Sequence, residues 1–390
     1  MRSVSTQRSN DRVLHFSISV IGLFLLIVAP ALPAFGQQIH QLSYNGSTWA
    51  DQNLNGGLAE PWAISSFFTT PNDQLHVFYG AHVSGDLHQL FYNGSNWADE
   101  SLTQAVGLCN VNCGISGFSV GNFQYVYYVG GDFNVHQMLY NNAEWVDTNL
   151  TVASGTDILP TSNPVAFTTS PALHVYYLGA DVNGTDIHVH QLFATNGTNW
   201  QDQDLTAMSG GPNPCECPNV AGFNMGNFQY VYYLDTANHI HQLFYNNASW
   251  SDEDITALSK SSPASTASAM SAFVIPGTKK MRVYFVSGKT RHIMQLASTN
   301  NGKWSSSDLT KKAKGSVPDE QIVAFPNSSG GKVNIYYVAG HDINRIYQPT
   351  ATTWANEDLT ALTNGGAADS IDQLAGFSLN NNLYLYYVVD

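Results

Sequence analysis

One segment recurs seven times along this chain, and repetition on that scale decides the class of fold before any single residue does. HQLSYNGSTWADQNL at His40, HQLFYNGSNWADESLT at His88 and HQMLYNNAEWVDTNLT at His136 are copies of it. HQLFATNGTNWQDQDLT at His190 and HQLFYNNASWSDEDIT at His241 continue the series, and more divergent copies begin at Met294 and Tyr347. The anchor tryptophans are Trp49, Trp97, Trp145, Trp200, Trp250, Trp304 and Trp354, spaced by 48, 48, 55, 50, 54 and 50 residues. Each is followed five positions later by Leu or Ile: Leu54, Leu102, Leu150, Leu205, Ile255, Leu309 and Leu359.

A second repeated half lies between these segments. GFSVGNFQYVYYVG at Gly117 and GFNMGNFQYVYYLD at Gly222 are nearly identical, and the runs from Pro164 and Ala375 follow the same plan. Alternating β-branched and aromatic stretches such as Gln124 to Val129 predict strands. Asn45-Gly46 and Asn93-Gly94 fall between two such stretches, where a tight hairpin with two positive-φ residues is expected. Each period therefore predicts four short strands, and no helical pattern is expected beyond residues 1–36. Four strands every 48 to 55 residues is the signature of a β-propeller.

The ends argue for a ring. The chain beyond residue 36 opens with the second half of a repeat and stops, at Asp390, after the first half of one. The 36 residues that follow Trp354 and the 13 from Gln37 to Trp49 together make one period of 49. The two halves are expected to complete one blade, which removes exposed sheet edges. The prediction is an all-β, seven-bladed propeller of four-stranded blades over residues 37–390, its last blade closed by N- and C-terminal strands.

Residues 1–36 read as an export signal. Arg2, Arg8 and Arg12 precede an uncharged run from Phe16 to Pro30, and Ala34-Phe35-Gly36 offers small residues for cleavage. The apolar run is short for a bilayer span. A secreted or extracytoplasmic protein without membrane insertion after cleavage is expected. Beyond the signal, 12 basic face 28 acidic side chains, and no Lys or Arg occurs between Gln37 and Ser259. Nucleic acid needs clustered cations, so it is excluded as a main partner. All 12 basic residues lie between Lys260 and Arg345, which reads as drift of the weakest repeats rather than a docking patch. Cys109 and Cys113, and Cys215 and Cys217, form two close pairs suited to an oxidising compartment. Local disulfide staples are expected rather than metal, although a bridge from Cys215 to Cys217 would be strained.

The repeated polar positions show no unique nucleophile, acid or metal set. The histidines before the repeated Gln are expected to be solvated, and Asp99, Asp147, Asp202 and Asp252 to form a solvated acidic edge. No catalytic residue, cofactor or metal is predicted. Repetition suits multivalent binding better, and aromatic rings among neutral hydrogen-bonding groups suit sugars.

The run from Gln89 to Trp97 resembles the E-x-x-W-x-G-x-x-W stretch of the fucose-binding β-propeller lectins of the Aleuria aurantia type. In that family an Arg from a preceding x-R-V-Y strand and the Glu hold sugar hydroxyls, and tryptophans stack on the ring between blades. Here the Glu position falls on Gln89, Gln137, Gln191, Gln242 and Gln295, with Gln41 and Gln348 at the chain's ends. The first Trp position is Tyr44, Tyr92, Tyr140 and Tyr245; the second is Trp97, Trp145, Trp200, Trp250, Trp304 and their equivalents. The Arg position falls on His76, Tyr125, His174, Tyr230, Arg282, Asn334 and Tyr384, so only Arg282 matches. The resemblance implies the fold and glycan or glycoconjugate partners, without the Arg/Glu pair that would imply fucose. His76 with Gln89 and His174 with Gln191 are the expected polar pairs of a changed pocket. The competing expectations are a structural or protein-interaction propeller whose tryptophans are core, and an exported hydrolase with a site at the channel mouth.

Overall fold

The computed structural model describes residues 37–389 apart from 55–60, 71, 82–83, 104–113, 182–183, 185, 218, 300–301, 330, 351 and 369–373, and apart from the Trp62 side chain. The predicted signal and the Cys109/Cys113 pair lie outside the described residues. Seven antiparallel sheets form a ring. Blade 1 spans residues 61–101, blade 2 115–149, blade 3 159–204, blade 4 221–254, blade 5 271–308 and blade 6 322–358. Blade 7 joins Ala375–Leu379 and Asn382–Val389 to Gln38–Tyr44 and Trp49–Asn53. Its central register runs from Gln38 opposite Val389 to Tyr44 opposite Leu383, so the predicted closure is formed. Blade 3 departs from four strands: Leu159–Pro160 adds a short fifth beside Ala180 and Gly179.

The first strand of every blade lines a central channel, where Ser65, Ser116, Val165, Val220, Ser271, Val323 and Gly376 converge. Space there is tight. A Cβ on Gly117 would stand 2.7 Å from Phe67 of the neighbouring blade, and one on Gly376 2.7 Å from Phe325, so a hydrogen is the only side chain that fits. The apolar core lies between blades rather than at one centre. Tyr232 and Leu234 of blade 4, for example, bury against Val283, Phe285, Leu296 and Trp304 of blade 5.

The hairpins differ from expectation in one respect. Only the second residue of each pair takes positive φ: Gly46, Gly94, Gly197, Asn142 and Asn247. The preceding Asn instead caps the turn, as Asn45 Oδ1 does by accepting from the backbone N–H groups of Ser47 and Thr48 at 3.0 Å.

Helix is also present, contrary to expectation. Five one-turn helices follow the fourth strands: α1 (Leu150–Ser154), α2 (Leu205–Ser209), α3 (Ile255–Ser259), α4 (Leu309–Ala313) and α5 (Leu359–Thr363). Asn149, Asp204, Asp254, Asp308 and Asp358 cap their first turns by accepting a backbone N–H. The conserved-offset Leu or Ile opens each helix and is buried, while the next Thr hydroxyl accepts from the third strand, as Thr256 does from Ile240 N–H at 2.7 Å. One turn is too short for a periodic pattern; the cap residue before Leu-Thr was its only sequence signal. Cys215 and Cys217 are disulfide-bonded to each other, their Cα atoms 5.2 Å apart.

Candidate functional site

The second strand of each blade carries two adjacent large residues that face opposite ways. In blade 2 these are Tyr127 and Tyr128. Tyr127 meets Trp200 of blade 3 edge-on, centroids 6.4 Å apart. The same contact joins Phe78 to Trp145, Tyr176 to Trp250, Tyr232 to Trp304, Tyr336 to Trp49 and Tyr386 to Trp97. Trp200, Trp250 and Trp304 are buried by it, whereas Trp49, Trp97, Trp145 and Trp354 stay half-exposed. Three of the candidate tryptophans are therefore core.

The repeated glutamine is core too in most blades. Gln41, Gln89, Gln137, Gln191 and Gln242 are buried. Gln137 donates to the Tyr127 hydroxyl at 2.9 Å, and Gln242 accepts from Tyr232 at 3.0 Å. The two expected His/Gln pairs form: Gln89 donates to His76 Nδ1, and Gln191 donates to His174 Nδ1 at 2.5 Å. On the far side Thr69 and Thr169 hydroxyls meet the Nε2 atoms at 3.3 and 2.8 Å. Burial pushes both histidine pKa values down to about 4, so both rings are neutral at physiological pH.

The opposite face corrects two expectations. The histidines before Gln are not solvated: His40, His136, His190 and His241 are buried. The acids after Trp are not a free edge either. Tyr128 donates to Asp147 Oδ1 at 2.8 Å while His136 Nδ1 bonds its Oδ2 at 3.0 Å. The same Tyr–Asp–His triad recurs as Tyr79, Asp99, His88; Tyr177, Asp202, His190; Tyr233, Asp252, His241; and Tyr387, Asp51, His40. Strand pairing sets His136 opposite Tyr128, and Asp147 lies diagonally on the next strand, two residues before Asn149, which stands opposite His136. In blade 6 the equivalents are Tyr337, Asn356 and Asn344. His188, His190 and Asp204 offer ligand atoms within 4.8 Å of one another. Each already has a structural partner, since Asp204 caps α2 and holds His188, and Asp202 holds His190.

Recesses open on the Gln-bearing side where three pairs of blades meet. Between blades 1 and 2 a recess of about 510 Å³ brings together His76, Gln89, Tyr140 and Trp145, with Glu100 and Glu144. Tyr92 faces a separate hollow beside Asn93 and Gly94. Tyr125, half-buried, and Tyr230, buried, stack on Phe118 and Phe223, and Tyr245 packs on Trp250. These three are placed by ring packing within their own blades. Arg282 and Gln295 share a recess between blades 5 and 6.

A recess of about 630 Å³ lies between blades 6 and 7 and was missed by sequence reasoning. Arg345 stands in it where the other blades carry Gln: it pairs with Tyr336 as Gln242 pairs with Tyr232. This corrects the placement of Gln348, which occupies the position of Tyr92 beside the hairpin. The Arg345 guanidinium bonds Glu357 at 2.6 Å and Asn334 at 2.6 and 3.0 Å, and lies 4.2 to 5.7 Å from the rings of Tyr347, Trp49 and Tyr44. The divergence of this copy hid the register; the pairing of Tyr336-Tyr337 with the next strand reveals it.

Comparison with known proteins bears on this geometry. Residues 181–363 match the fungal fucose-specific lectin family. That span runs from blade 3 to α5. No curated protein sequence matches the chain. Solved structures share the fold at low identity. AofleA from Arthrobotrys oligospora is 14% identical with a TM-score of 0.52, over 90% of this chain and 92% of that one. The Aleuria aurantia lectin, described as a six-bladed β-propeller with a novel fucose recognition mode, is 17% identical with a TM-score of 0.52, over 76% and 93%. SapL1 lectin, solved with α-methyl fucoside, is 17% identical with a TM-score of 0.52, over 77% and 96%. The ring described here has one blade more than the Aleuria aurantia lectin. The resemblance to fucose-specific lectins expected from the Gln89 to Trp97 run is thus found in the profile of the chain's second half and in the fold.

Proposed function

We propose that this chain is a secreted glycan-binding propeller without catalysis, whose working pockets are few and lie between blades. The family match over residues 181–363 supports carbohydrate as the ligand class, as do the names of two structural neighbours, SapL1 lectin and Aleuria aurantia lectin. The observation that carries the reading is the recess between blades 6 and 7. Trp49, Tyr44 and Tyr347 offer apolar ring faces around a guanidinium already oriented by Glu357 and Asn334. Sugars are met by such combinations, with C–H faces on aromatic rings and hydroxyls on planar charged donors.

The same geometry limits the number of sites. Gln137, Gln191 and Gln242 are buried and bonded to tyrosine or histidine, which turns them inward and away from a ligand. The junctions of blade 3 with blades 2 and 4 therefore serve as scaffold, and this is where the structural-propeller alternative holds. SapL1 was solved with a fucoside. Here Arg282 is the only Arg at the family's Arg position, and Arg345 occupies the Glu position with Glu357 one strand outward, so the hold on hydroxyls is rearranged and fucose is not assigned.

Titration calorimetry of the exported protein with a broad panel of neutral and acidic oligosaccharides tests the reading. Saturable binding to at least one glycan is expected, weakened about tenfold or more by Trp49→Ala or Arg345→Met. Absence of binding across the panel would sink it.

A further inference from the structure

The three recesses differ in charge. Between blades 1 and 2 the lining carries Glu100 and Glu144 and no cation beyond neutral His76. Between blades 6 and 7 Arg345 is compensated by Glu357, and Lys332 adds one further cation to the lining. Between blades 5 and 6 the lining carries Lys280, Arg282 and Lys312, and none of its described residues is acidic. The Arg282 guanidinium donates to the backbone carbonyls of Met281 and Ser298 at 2.7 and 3.3 Å, and the Lys312 ammonium to the Ser307 hydroxyl at 2.8 Å. Among the described residues none of the three cations forms an ion pair. Such a cluster is unusual in a chain of net charge -14, whose acids could have paired with it.

A second observation points into the same hollow. Tyr284, on the recess wall, is fully buried and its hydroxyl has no hydrogen-bond partner. Its equivalents Tyr127, Tyr232 and Tyr386 are each bonded to the Gln of their blade, whereas Tyr336, opposite Arg345 instead of Gln, is likewise unpartnered. Gln295, opposite Tyr284 in register, is instead half-exposed toward the recess. A buried donor left unmade costs free energy, a cost incurred where Gln295 turns from Tyr284 toward the recess. Trp354, half-exposed, supplies the aromatic wall.

We propose that the recess between blades 5 and 6, of about 330 Å³, takes an acidic sugar: its carboxylate or sulfate sits among Lys280, Arg282 and Lys312 while its ring lies against Trp354. This rests on the carbohydrate-binding reading and deepens it by naming the ligand class of one site. Charge-assisted bonds are about twice as strong as neutral ones, and screening shortens their reach as salt rises.

The test is calorimetry with matched pairs: an oligouronide and its methyl ester, and a sulfated oligosaccharide and its unsulfated parent. Wild type is compared at low and high salt with Lys280→Ser/Lys312→Ser, with Arg282→Gln, and with Lys289→Ser/Lys303→Ser, an equal charge change at exposed positions outside the recess. At least one acidic member is expected to bind about tenfold or more tighter than its neutral parent. The preference falls with salt, disappears in Lys280→Ser/Lys312→Ser and Arg282→Gln, and persists in the control. A preference for the uronide alone or the sulfated sugar alone identifies which anion the site takes. Equal binding of both members of each pair, or a preference that survives loss of the lysines, overturns the proposal while leaving glycan binding intact. No binding of any glycan overturns both.

Discussion

The Gln41 amide donates to the Tyr386 hydroxyl at 2.9 Å, across a sequence separation of 345 residues. This buried bond joins the first strand of the described chain to the last, inside blade 7. Edge-on contacts of Trp97 with Tyr386 and of Trp49 with Tyr336 then seat that blade against both neighbours.

Loss of this bond should weaken the whole ring. Gln41→Ala leaves the Tyr386 hydroxyl buried without a partner, which costs about 1–3 kcal/mol. Urea denaturation should show a lower midpoint and an unchanged slope. Tyr386→Phe, which removes the second partner as well, should restore part of the loss in the double variant.

The anchor tryptophans should separate by burial. Trp250 is 6% exposed and fills the interface between blades 3 and 4. Trp250→Ala is expected to cost about 3–5 kcal/mol and leave glycan affinity unchanged in whatever folds. Half-exposed Trp97 should cost less on replacement by alanine. Equal losses at the two sites would contradict the assignment of Trp250 to core.

Acid should destabilise the protein through His76 and His174. Both are held neutral in the fold with pKa about 4, against about 6.5 in the unfolded chain. Between those values the unfolded chain binds protons that the fold does not, so stability falls as pH falls from 6.5 toward 4. Each contributes roughly 3 kcal/mol to that fall. His76→Tyr/His174→Tyr, using the residue that blades 2 and 4 carry there, should flatten the decline in Tm between pH 7 and 4.

The triad of His136 should act in the opposite direction. Burial pulls the His136 pKa down, but the bond to and charge of Asp147, followed by those of Asp132, raise it above its ordinary value. A raised folded pKa gives stability that is complete below about 6.5 and lost as pH rises through the folded value. Asp147→Asn should therefore destabilise more at pH 5.5 than at pH 9, and an NMR titration should show the His136 pKa falling. The neutral triad Tyr337, Asn356, Asn344 indicates that the geometry survives such a change.

Much of the architecture was legible because a propeller is specified locally and repetitively. The Trp-to-Leu offset, the strand alternation and the half-repeats at either end suffice for seven blades and for their closure. The candidate site was legible only in part. His76 bonds Gln89 and His174 bonds Gln191 as expected, because in both blades the Gln lies two residues before the residue opposite the His on the next strand. Whether those pairs are open to a ligand depends on the neighbouring blade. Gln89 also bonds Gln124, and Tyr176 bonds Gln229, contacts that no single repeat contains.

Order along the chain determined the blade count, the ring and the alternation of faces, because hydrophobic period and turn chemistry act within one repeat. Packing between repeats decided everything else. It buried His136 and tied it to Asp147 and Tyr128 in a hydrogen-bonded triad, and it put Arg345 rather than Gln348 at the register position of the repeated glutamine. It also gathered Lys280, Arg282 and Lys312 around an unpartnered Tyr284. Burial and charge balance are sums over neighbours from several strands, and those neighbours are assembled only when the ring closes.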